Sequence, residues 1–271
     1  MMVAMQPGLI TSAANPLAKR MRSLSQRRNR QREGAYLVEG VAPVWYAVDA
    51  DADVETLVIA PDLLKDSPAL AMVSERERLG TPVARMSAEL FTRLSERDGP
   101  SGLAAIVRGR IGDLDDLVIG SDSLFMALHE VANPGNLGTI IRTAVAMGVA
   151  GVVLVGDTTD PFAPLAVKAS MGSLFAVPVV HEVRLETVFD WAEAGGAATV
   201  TTSARAPTRL AEVSLHLPMV VMFGSERSGL PAAALARGSA QVSIAMHGRV
   251  SSLNLAVAAG IVLYEVRRQL D

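Results

Sequence analysis

The sequence predicts an α/β protein whose C-terminal part contains a mostly parallel sheet and whose N-terminal part is a smaller α/β domain. Two observations lead to this prediction. After residue 124, short apolar runs alternate with segments of helical periodicity, as in folds built from repeated strand–helix units. Residues 151–155 are apolar without interruption, which is typical of a parallel strand buried on both faces. A polar, glycine-containing run at 109–116 is the best linker, and we place the domains at 1–112 and 113–271.

The N-terminal domain is expected to contain three helices and three strands. The first helix covers residues 17–31 and is amphipathic. Tyr36 begins a short strand that runs into a turn at Gly40, and Pro43 is tolerated in the first turn of the helix that follows. The remaining predicted elements are helices at 41–48 and 87–94 and strands at 56–60 and 102–107.

The C-terminal domain is expected to repeat the strand–helix pattern to the end of the chain. A helix at 137–147 is stopped by Gly148, which suits the left-handed position after a helix. A last helix runs from 254 to 270, with apolar residues at helical spacing. The predicted strands cover residues 124–128, 151–155, 177–180, 198–202, 219–223 and 241–244.

Composition excludes several classes of function. The chain has no cysteine, so disulfides, thiolate catalysis and cysteine-ligated metals are ruled out. Its four histidines show no paired spacing, which argues against a zinc site. No apolar run reaches 18 residues, and the N-terminus lacks the apolar stretch of a signal peptide. We therefore expect a cytoplasmic protein with no metal and no membrane partner.

Seven basic residues cluster near the N-terminus, before the first acidic residue at Glu33. Residues 33–271 hold 18 basic and 28 acidic residues, a net charge of −10, so a basic arm precedes an acidic body. This distribution suits a polyphosphate partner. The alternative is a solvated basic helix that binds nothing. The cluster consists of Lys19, Arg20, Arg22, Arg27, Arg28, Arg30 and Arg32.

A polar turn that opens a helix begins at residue 133. The Asn-Pro-Gly sequence at 133–135 is strong turn chemistry, and Asn136 is predicted as the N-cap of the helix. Arg142 then falls on an otherwise apolar helix, where its guanidinium needs a carboxylate or phosphate partner. The alternative is a structural arginine that pairs with a nearby acid.

A second segment, residues 222–230, runs from a strand into a Gly/Ser turn that carries one acid, Glu226. Ligands of α/β folds bind at the carboxyl ends of strands. The turn lacks the Gly-Lys-Ser/Thr of a phosphate-binding loop, so binding of a nucleoside triphosphate is not indicated. No Gly-x-Gly-x-x-Gly follows a strand, so a Rossmann cofactor site has no support either. An ordinary strand–helix turn is the alternative.

The third segment, residues 244–260, is first polar and then abruptly small and apolar. Ser251, Ser252 and Asn254 lie at the start of the last helix, where free backbone N–H groups and side-chain oxygens can hold a ligand. The small residues that follow allow another backbone to approach closely. The alternative is a helix N-cap with a close helix–helix contact, which could be an oligomer interface. A fourth polar turn, at 168–173, is interpreted as structural.

Together these segments resemble the three motifs of the SpoU (TrmH) family of RNA 2′-O-ribose methyltransferases, which is part of the SPOUT superfamily. The match covers residues 133–143, 222–230 and 244–265, in the order of the family. Residues 168–175 also resemble a family segment. Residues 10–48 resemble the RNA-binding domain that is often fused in front, with Tyr36 to Gly40 as its clearest signature.

The resemblance implies further features of the fold and the partners. The C-terminal domain would be a SPOUT domain whose chain end threads a deep trefoil knot. The small α/β domain in front would be L30e-like and would bind RNA through the basic cluster. The cofactor would be S-adenosylmethionine, and the protein would be a homodimer joined through the helix after Asn254. The residues implied to contact the cofactor are Gly224, Ile244 and Leu253, with Thr202 and Met246 as further neighbours.

Arg142 is the residue on which the implied reaction depends. The family proposal makes it the group that handles the proton of the ribose 2′-hydroxyl, but a guanidinium is protonated at any ordinary pH and is a very poor base. We therefore favour an orienting role, in which Arg142 grips the phosphate beside the target ribose. The side chains implied to hold Arg142 and the ribose are Asn136, Glu226, Ser252 and Asn254.

We predict a methyltransferase that acts on a ribose 2′-hydroxyl of structured RNA, with ribosomal RNA as the substrate. The alternatives are a transfer RNA substrate, a non-catalytic RNA-binding or assembly factor on the same fold, and a small-molecule enzyme. The combination of an arginine, an acid, a serine and an asparagine in the three motifs argues against a pure binder. The basic cluster argues against a small-molecule enzyme.

Overall fold

The computed structural model of the protein describes residues 8–95 and 99–270. Residues 1–7 lie outside this range. The prediction that the N-terminus lacks a signal peptide falls partly on these residues. The chain divides into two compact units. The first consists of Met1–Arg110 and Phe162–Phe175, and the second of Ile111–Pro161 and Ala176–Asp271.

The first unit is built around a four-stranded sheet. Its elements are α1 (Pro16–Ser23), α2 (Arg27–Glu33), β1 (Ala35–Glu39), α3 (Val41–Asp49), β2 (Val54–Ile59), α4 (Ala69–Arg78), β3 (Val83–Arg85), α5 (Ala88–Leu94), β4 (Leu103–Arg108) and, from the separate segment, α7 (Pro164–Ser170). The strand order is β1-β4-β2-β3, and β4 is antiparallel to both of its neighbours. One apolar cluster, which includes Met21, Phe91 and Ile106, joins helices α1 and α5 to the sheet.

The single helix predicted at 17–31 is wrong, because the structure has two helices there. α1 ends at the C-cap Leu24, and α2 begins at Arg27. Arg30 is buried, and its Nη1 donates to the carbonyl oxygens of Leu24 at 2.9 Å and Ser25 at 2.7 Å. In a continuous helix these carbonyls would accept from the following turn, so the guanidinium stabilises the break.

The second unit contains an eight-stranded sheet in which every pairing is parallel. Its elements are β5 (Gly112–Asp113), β6 (Leu124–His129), α6 (Pro134–Ala146), β7 (Gly151–Val155), β8 (Val179–Glu182), α8 (Leu185–Ala194), β9 (Ala198–Thr202), β10 (Thr208–Arg209), β11 (Met219–Phe223), α9 (Ala232–Arg237), β12 (Ala240–Ser243) and α10 (Leu255–Leu270). The strand order is β10-β12-β9-β11-β6-β7-β8-β5. The predicted α/β architecture with a parallel sheet is confirmed.

The central strands are buried as their apolar sequences predict. β7 and β11 are buried at every residue, as expected when helices or loops cover both faces of a parallel sheet. The end of α6 also agrees with the prediction. Met147 is its C-cap, and Gly148 follows in the left-handed region at φ +63°.

The linker predicted at 109–116 is partly ordered in the large sheet. β5 pairs in parallel with β8, with Gly112 opposite Val180, and a 3-10 turn follows at Leu114–Asp116. β10, at the opposite edge of the sheet, is equally short. Strands of two residues carry no apolar alternation, which is why the sequence does not predict them.

Residues 162–175 belong to the first unit, although the sequence places them in the C-terminal domain. Phe162 stacks on Tyr36 of β1 with ring centroids 4.2 Å apart, and Phe175 stacks on the same ring at 6.4 Å. Burial raises the pKa of Tyr36 far above its usual range, so the phenol stays neutral. The aromatic stack therefore fixes this segment, with α7, against β1.

Two kinds of feature are missing from the described residues. Over residues 8–95 and 99–270, no helix combines the length and apolar character needed to cross a membrane. In the same part of the chain, no three His, Asp or Glu side chains are grouped so that they could hold a metal ion.

Candidate active site

The carboxyl ends of four neighbouring strands bring the predicted motifs to one edge of the large sheet. β12, β9, β11 and β6 are consecutive in the strand order. The segments that follow them therefore start side by side, at the edge where parallel α/β sheets bind ligands. In the same strand order, these segments are residues 244–254, 203–207, 224–230 and 130–133.

The first turn of α6 is capped by Asn133 and not by Asn136. The side chain of Asn133 accepts a hydrogen bond from the backbone N–H of Asn136 at 3.0 Å, and Pro134 occupies the first helical position. Proline is favourable there because the N–H it lacks would have no partner in the helix. The predicted N-cap role of Asn136 is therefore wrong, and its side-chain amide is available to other loops.

The side chain of Asn136 joins the second and third motifs. Its Nδ2 donates to Oε1 of Glu226 at 3.0 Å, and its Oδ1 accepts from Nδ2 of Asn254 at 3.1 Å. Asn136 lies 90 residues before Glu226 and 118 residues before Asn254. Three distant segments of the chain thus meet at one amide group, and the structure brings three of the five predicted catalytic residues into contact.

The Glu226 carboxylate is kept ionised by its surroundings. Partial burial raises its pKa, but hydrogen bonds from the Asn136 amide and from the backbone N–H groups of Glu226, Ala132 and Asn133 outweigh burial, so the pKa lies below its usual range. The stability gained from these bonds is present above the ordinary glutamate pKa and is lost as the pH falls through the lowered value. At neutral pH the carboxylate is therefore a full acceptor.

Asn254 has two roles at the start of α10. Its Oδ1 accepts from the backbone N–H groups of Ala256 at 2.9 Å and Val257 at 3.4 Å, while its Nδ2 donates to Asn136. The residue that caps the helix is thus also the one that contacts the first motif. Ser252 is exposed in the loop before the helix and has no hydrogen-bond partner within the described ranges.

Arg142 lies apart from this link. It is exposed on α6, six residues after Asn136, which places it about 120° around the helix. No residue in the described part of the chain forms a hydrogen bond or ion pair with its guanidinium. The alternative of a structural arginine paired with an acid is therefore not supported. The neighbouring Thr143 faces α10, where a Cβ on Gly260 would lie 3.8 Å from the threonine Cγ2.

The residues expected to contact a cofactor lie along the same edge. Gly224 follows β11 directly and is buried, and a Cβ on it would lie only 2.0 Å from the carbonyl carbon of Gly229. Glycine is required where two backbones approach this closely. Thr202 Oγ1 donates to the Met222 carbonyl oxygen at 2.9 Å and so ties the ends of β9 and β11 together. The half-buried apolar residues after β12 are Ile244, Met246 and Leu253.

The seven residues of the basic cluster have different environments. Arg20 pairs with Glu55 and, at 2.9 Å, with Glu33, and the hydrogen bonds from these carboxylates raise its pKa still further. Arg30 is buried and bonds the carbonyls that end α1. In contrast to the expected phosphate contacts, these two guanidinium groups are engaged in the fold of the first unit. The exposed members of the cluster are Lys19, Arg22, Arg27, Arg28 and Arg32.

The sequence analysis missed three arginines that lie at the carboxyl edge of the large sheet, beside the candidate site. Arg205, Arg227 and Arg249 follow β9, β11 and β12, and all three are exposed. Within residues 8–95 and 99–270, none of their guanidinium groups has a hydrogen-bond or ion-pair partner. The signal that could have found them is a basic residue shortly after each of three apolar strands, in a part of the chain with a net negative charge.

Two family models match this chain. The SpoU rRNA Methylase family model matches residues 123–264, and the MRM3-like substrate binding domain model matches residues 15–105. The first covers strands β6 to β12, the first two motifs and the third motif up to residue 264. The second covers most of the first unit.

Known proteins resemble the chain over nearly its whole length. It is 34% identical to the 23S rRNA (uridine(2479)-2′-O)-methyltransferase of Streptomyces viridochromogenes, over 91% of this chain and 87% of that protein. It is 28% identical to the 23S rRNA (guanosine(2553)-2′-O)-methyltransferase RlmP of Bacillus subtilis, over 95% and 98%. The crystal structure of an AdoMet-bound rRNA methyltransferase from Sinorhizobium meliloti is similar with a TM-score of 0.87 and 34% identity, over 97% of this chain and 98% of that one.

We expect Arg30→Ala to destabilise the protein and Arg28→Ala to leave its stability nearly unchanged. The first substitution removes the donor for two carbonyl oxygens at the break between α1 and α2, at a cost of about 1–3 kcal/mol. Arg28 is an exposed arginine of the same helix and is the matched control. Urea unfolding followed by circular dichroism measures both free energies, and equal values for the two variants would contradict the capping role.

Proposed function

The chain belongs to the SpoU rRNA methylase family, and we propose that it transfers a methyl group from S-adenosylmethionine to a ribose 2′-hydroxyl of ribosomal RNA. The observation that carries the proposal is the pair of hydrogen bonds at Asn136, which joins the three family segments at one edge of the sheet. Relatives named for 23S rRNA match both units, and this supports ribosomal over transfer RNA. The match of the first unit to a substrate-binding domain supports a role of that unit in holding the substrate.

The edge of the parallel sheet suits S-adenosylmethionine, which supplies an electrophilic methyl group on a sulfonium centre. Gly224 presents backbone without a side chain in a buried turn, where a ligand can approach closely. Ile244, Met246 and Leu253 offer apolar surface to an adenine ring, and the bond from Thr202 to the Met222 carbonyl holds the strand ends in place. The trefoil knot that the family resemblance implies stays a prediction.

Arg142 binds and orients the RNA in this proposal. Its guanidinium stays protonated and cannot serve as a base at neutral pH. Because no described residue occupies its donors, they are available to the phosphate beside the target ribose. Asn136, Glu226 and Asn254 fix the loops around the ribose, and Ser252 adds an exposed hydroxyl. These residues raise the rate by holding the 2′-hydroxyl in one orientation.

Cations of both units supply the remaining affinity for RNA. Lys19 and Arg28 are exposed in the basic cluster, and Arg205, Arg227 and Arg249 surround the site. Contacts of this kind to phosphates position the RNA but carry no sequence information. They also make the affinity depend strongly on salt.

We further propose that the chain forms a homodimer through α10. Val257, Ile261 and Tyr264 are 52%, 40% and 62% exposed and recur at helical spacing, so they form an apolar stripe. A second copy of the same helix can bury this stripe around a twofold axis. α6 packs against the same helix, since a Cβ on Gly260 would lie 3.8 Å from Thr143 Cγ2, and a partner copy on α10 would therefore lie beside the helix that carries Arg142.

We expect Arg142→Ala to reduce methyl transfer at least about 100-fold, the scale seen when one positioned electrostatic group is removed. Binding of S-adenosylmethionine should stay nearly unchanged, since Arg142 is not among the residues expected at the cofactor. The measurements are transfer of labelled methyl groups to total RNA, with mapping of the modified ribose, and calorimetry with S-adenosylmethionine.

Arg237→Ala is the matched control for Arg142→Ala. Arg237 is a surface arginine at the end of α9, before β12, and so lies at the opposite edge of the same sheet. Its removal should leave the rate unchanged. Comparable turnover by Arg142→Ala would refute the role of Arg142, and absence of any 2′-O-methylated ribose with the wild-type protein would refute the proposed function.

We expect the wild-type protein to sediment as a dimer and Ile261→Asp to sediment as a monomer of 28.5 kDa. The introduced carboxylate would be buried without a partner in the interface, which is strongly unfavourable. Val118→Asp is the control, because Val118 is an exposed apolar residue of the same unit outside the stripe. Analytical ultracentrifugation decides the question, and a monomeric wild type would exclude the dimer.

We expect the triple substitution of Lys19, Arg27 and Arg28 by Gln to flatten the salt dependence of RNA affinity. Each lost phosphate contact lowers the slope of log K against log salt by about 0.7–0.9, so the total change is about 2–3. The control is Lys65→Gln, which changes an exposed lysine of the same unit outside the cluster and should leave the slope unchanged. Fluorescence anisotropy with ribosomal RNA fragments measures the slopes. An unchanged slope in the triple variant would mean that the cluster is only a solvated surface.

A further inference from the structure

A cavity of about 100 Å³ opens on the first unit, and Arg22 of the basic cluster is among its lining residues. Its walls come from α1, β1, the end of α5 and α7. The segment 162–175 contributes one complete wall, because α7 lies within it.

The floor of the cavity is apolar. Met21 of α1 and Val167 of α7 are buried there, and Leu37 and Leu94 are half-buried. Leu165 is 55% exposed and extends the apolar surface toward the opening. Aliphatic walls with an open mouth suit a flat ring that enters from solvent.

Three charged side chains line the same cavity without pairing. Glu39 is half-buried, and its carboxylate accepts a hydrogen bond from the Ser95 hydroxyl. Arg22 and Lys168 also line the cavity, yet in the described part of the chain neither forms an ion pair with Glu39 or with any other acid. A partly buried carboxylate and two cations that form no ion pair with it leave both signs of charge for a ligand. The complement is a molecule with an anionic group and a row of hydrogen-bond donors.

We propose that this cavity binds an unpaired guanine nucleotide of the RNA substrate. The inference rests on the proposed function and assigns a recognition site to the first unit. Arg22 and Lys168 bind the phosphate, and the guanine ring lies against the apolar floor. The Watson–Crick edge of guanine meets the Glu39 carboxylate, where N1–H and the N2 amino group both donate.

The chemistry of the bases selects guanine at Glu39. Guanine alone presents two adjacent donors to a carboxylate. The adenine and cytosine amino groups stand next to a ring nitrogen acceptor, and the N3–H of uracil stands between two carbonyl acceptors. Each acceptor would face the carboxylate and be repelled by it. Sequence-specific RNA recognition relies on such contacts to splayed-out bases in loops.

The basic cluster favours RNA over a free small molecule as the occupant. Arg22 lies on α1 beside Lys19, and both are exposed. A nucleotide in the cavity therefore has cations next to it for the adjacent phosphates of the same strand. The turn at 168–173, interpreted from the sequence as structural, then supplies a functional side chain at Lys168.

The test uses short single-stranded RNA and the full-length protein without S-adenosylmethionine. The probes are fluorescent pentanucleotides, UUGUU and UUUUU, and the measurement is anisotropy. We expect wild type to bind UUGUU about tenfold more tightly, the usual discrimination of one bidentate contact to a base. Glu39→Gln should abolish this preference, because the introduced amide presents a donor to guanine and a complementary donor–acceptor pair to uracil. Lys168→Gln should weaken both probes equally.

The controls separate the cavity from the general charge of the unit. Glu89→Gln and Lys65→Gln change exposed residues of the same unit outside the cavity and should leave the preference intact. Equal affinity of wild type for the two probes, no binding of either, or a guanine preference that survives Glu39→Gln would each overturn the proposal. Circular dichroism checks that the variants fold, and Lys168→Gln provides a second substitution that leaves Glu39 in place.

The outcome of this binding experiment can be separated from the outcome of the methylation assay that tests the proposed function. If ribosomal RNA is methylated but the pentanucleotides show no guanine preference, only the cavity assignment falls. If the preference is present but no methylated ribose forms, the cavity stands as an RNA-binding site and the proposed reaction falls.

Discussion

The arrangement of the site depends on the amide group of Asn136. Its nitrogen can only donate and its oxygen can only accept, and the two atoms meet the Glu226 carboxylate and the Asn254 N–H group respectively. A 180° rotation of this amide would bring acceptor against acceptor and donor against donor. Because Glu226 is ionised at neutral pH and can only accept, it fixes the orientation of Asn136 and, through it, the position of Asn254. One carboxylate therefore orders three segments of the chain.

The parallel sheet places these segments within reach of each other. β6 and β11 are neighbours, with Leu128 opposite Phe223, so the segments that carry Asn136 and Glu226 leave the sheet at the same level. The third motif leaves β12, which is separated from β6 by β9 and β11, a distance of about 14 Å at the usual strand spacing. The long segment 244–254 is needed to cross this distance before Asn254 can cap α10 and contact Asn136. The length of the third motif thus follows from the strand order.

The central strands and the positions of the motifs could be predicted from local sequence, whereas features set by tertiary contacts could not. Residues 219–223 are apolar at every position, a pattern that a strand with two covered faces needs. Two asparagines in one turn look alike, and only the contacts to neighbouring loops show that Asn133 caps α6 while Asn136 reaches across. Likewise, the sequence does not distinguish Arg30 from the other arginines of the basic cluster, although Arg30 bonds the carbonyl oxygens at the end of α1. The location of α7 in the first unit depends on aromatic stacking between residues far apart in the chain.

Pairing of charges, and not net charge, decides where this chain can bind a polyanion. Arg20 and Arg237 lie beside acids, so their fields are cancelled within a few ångströms. Arg142, Arg205 and Arg227 have no acidic partner among the described residues, although they belong to the part of the chain in which acids outnumber bases. An RNA strand is repelled by the acidic surface and attracted where cations stand alone. We therefore expect RNA to bind at the carboxyl edge of the large sheet and at Lys19, Arg22 and Arg28 of the basic cluster, and we expect the excess of acids to disfavour binding elsewhere.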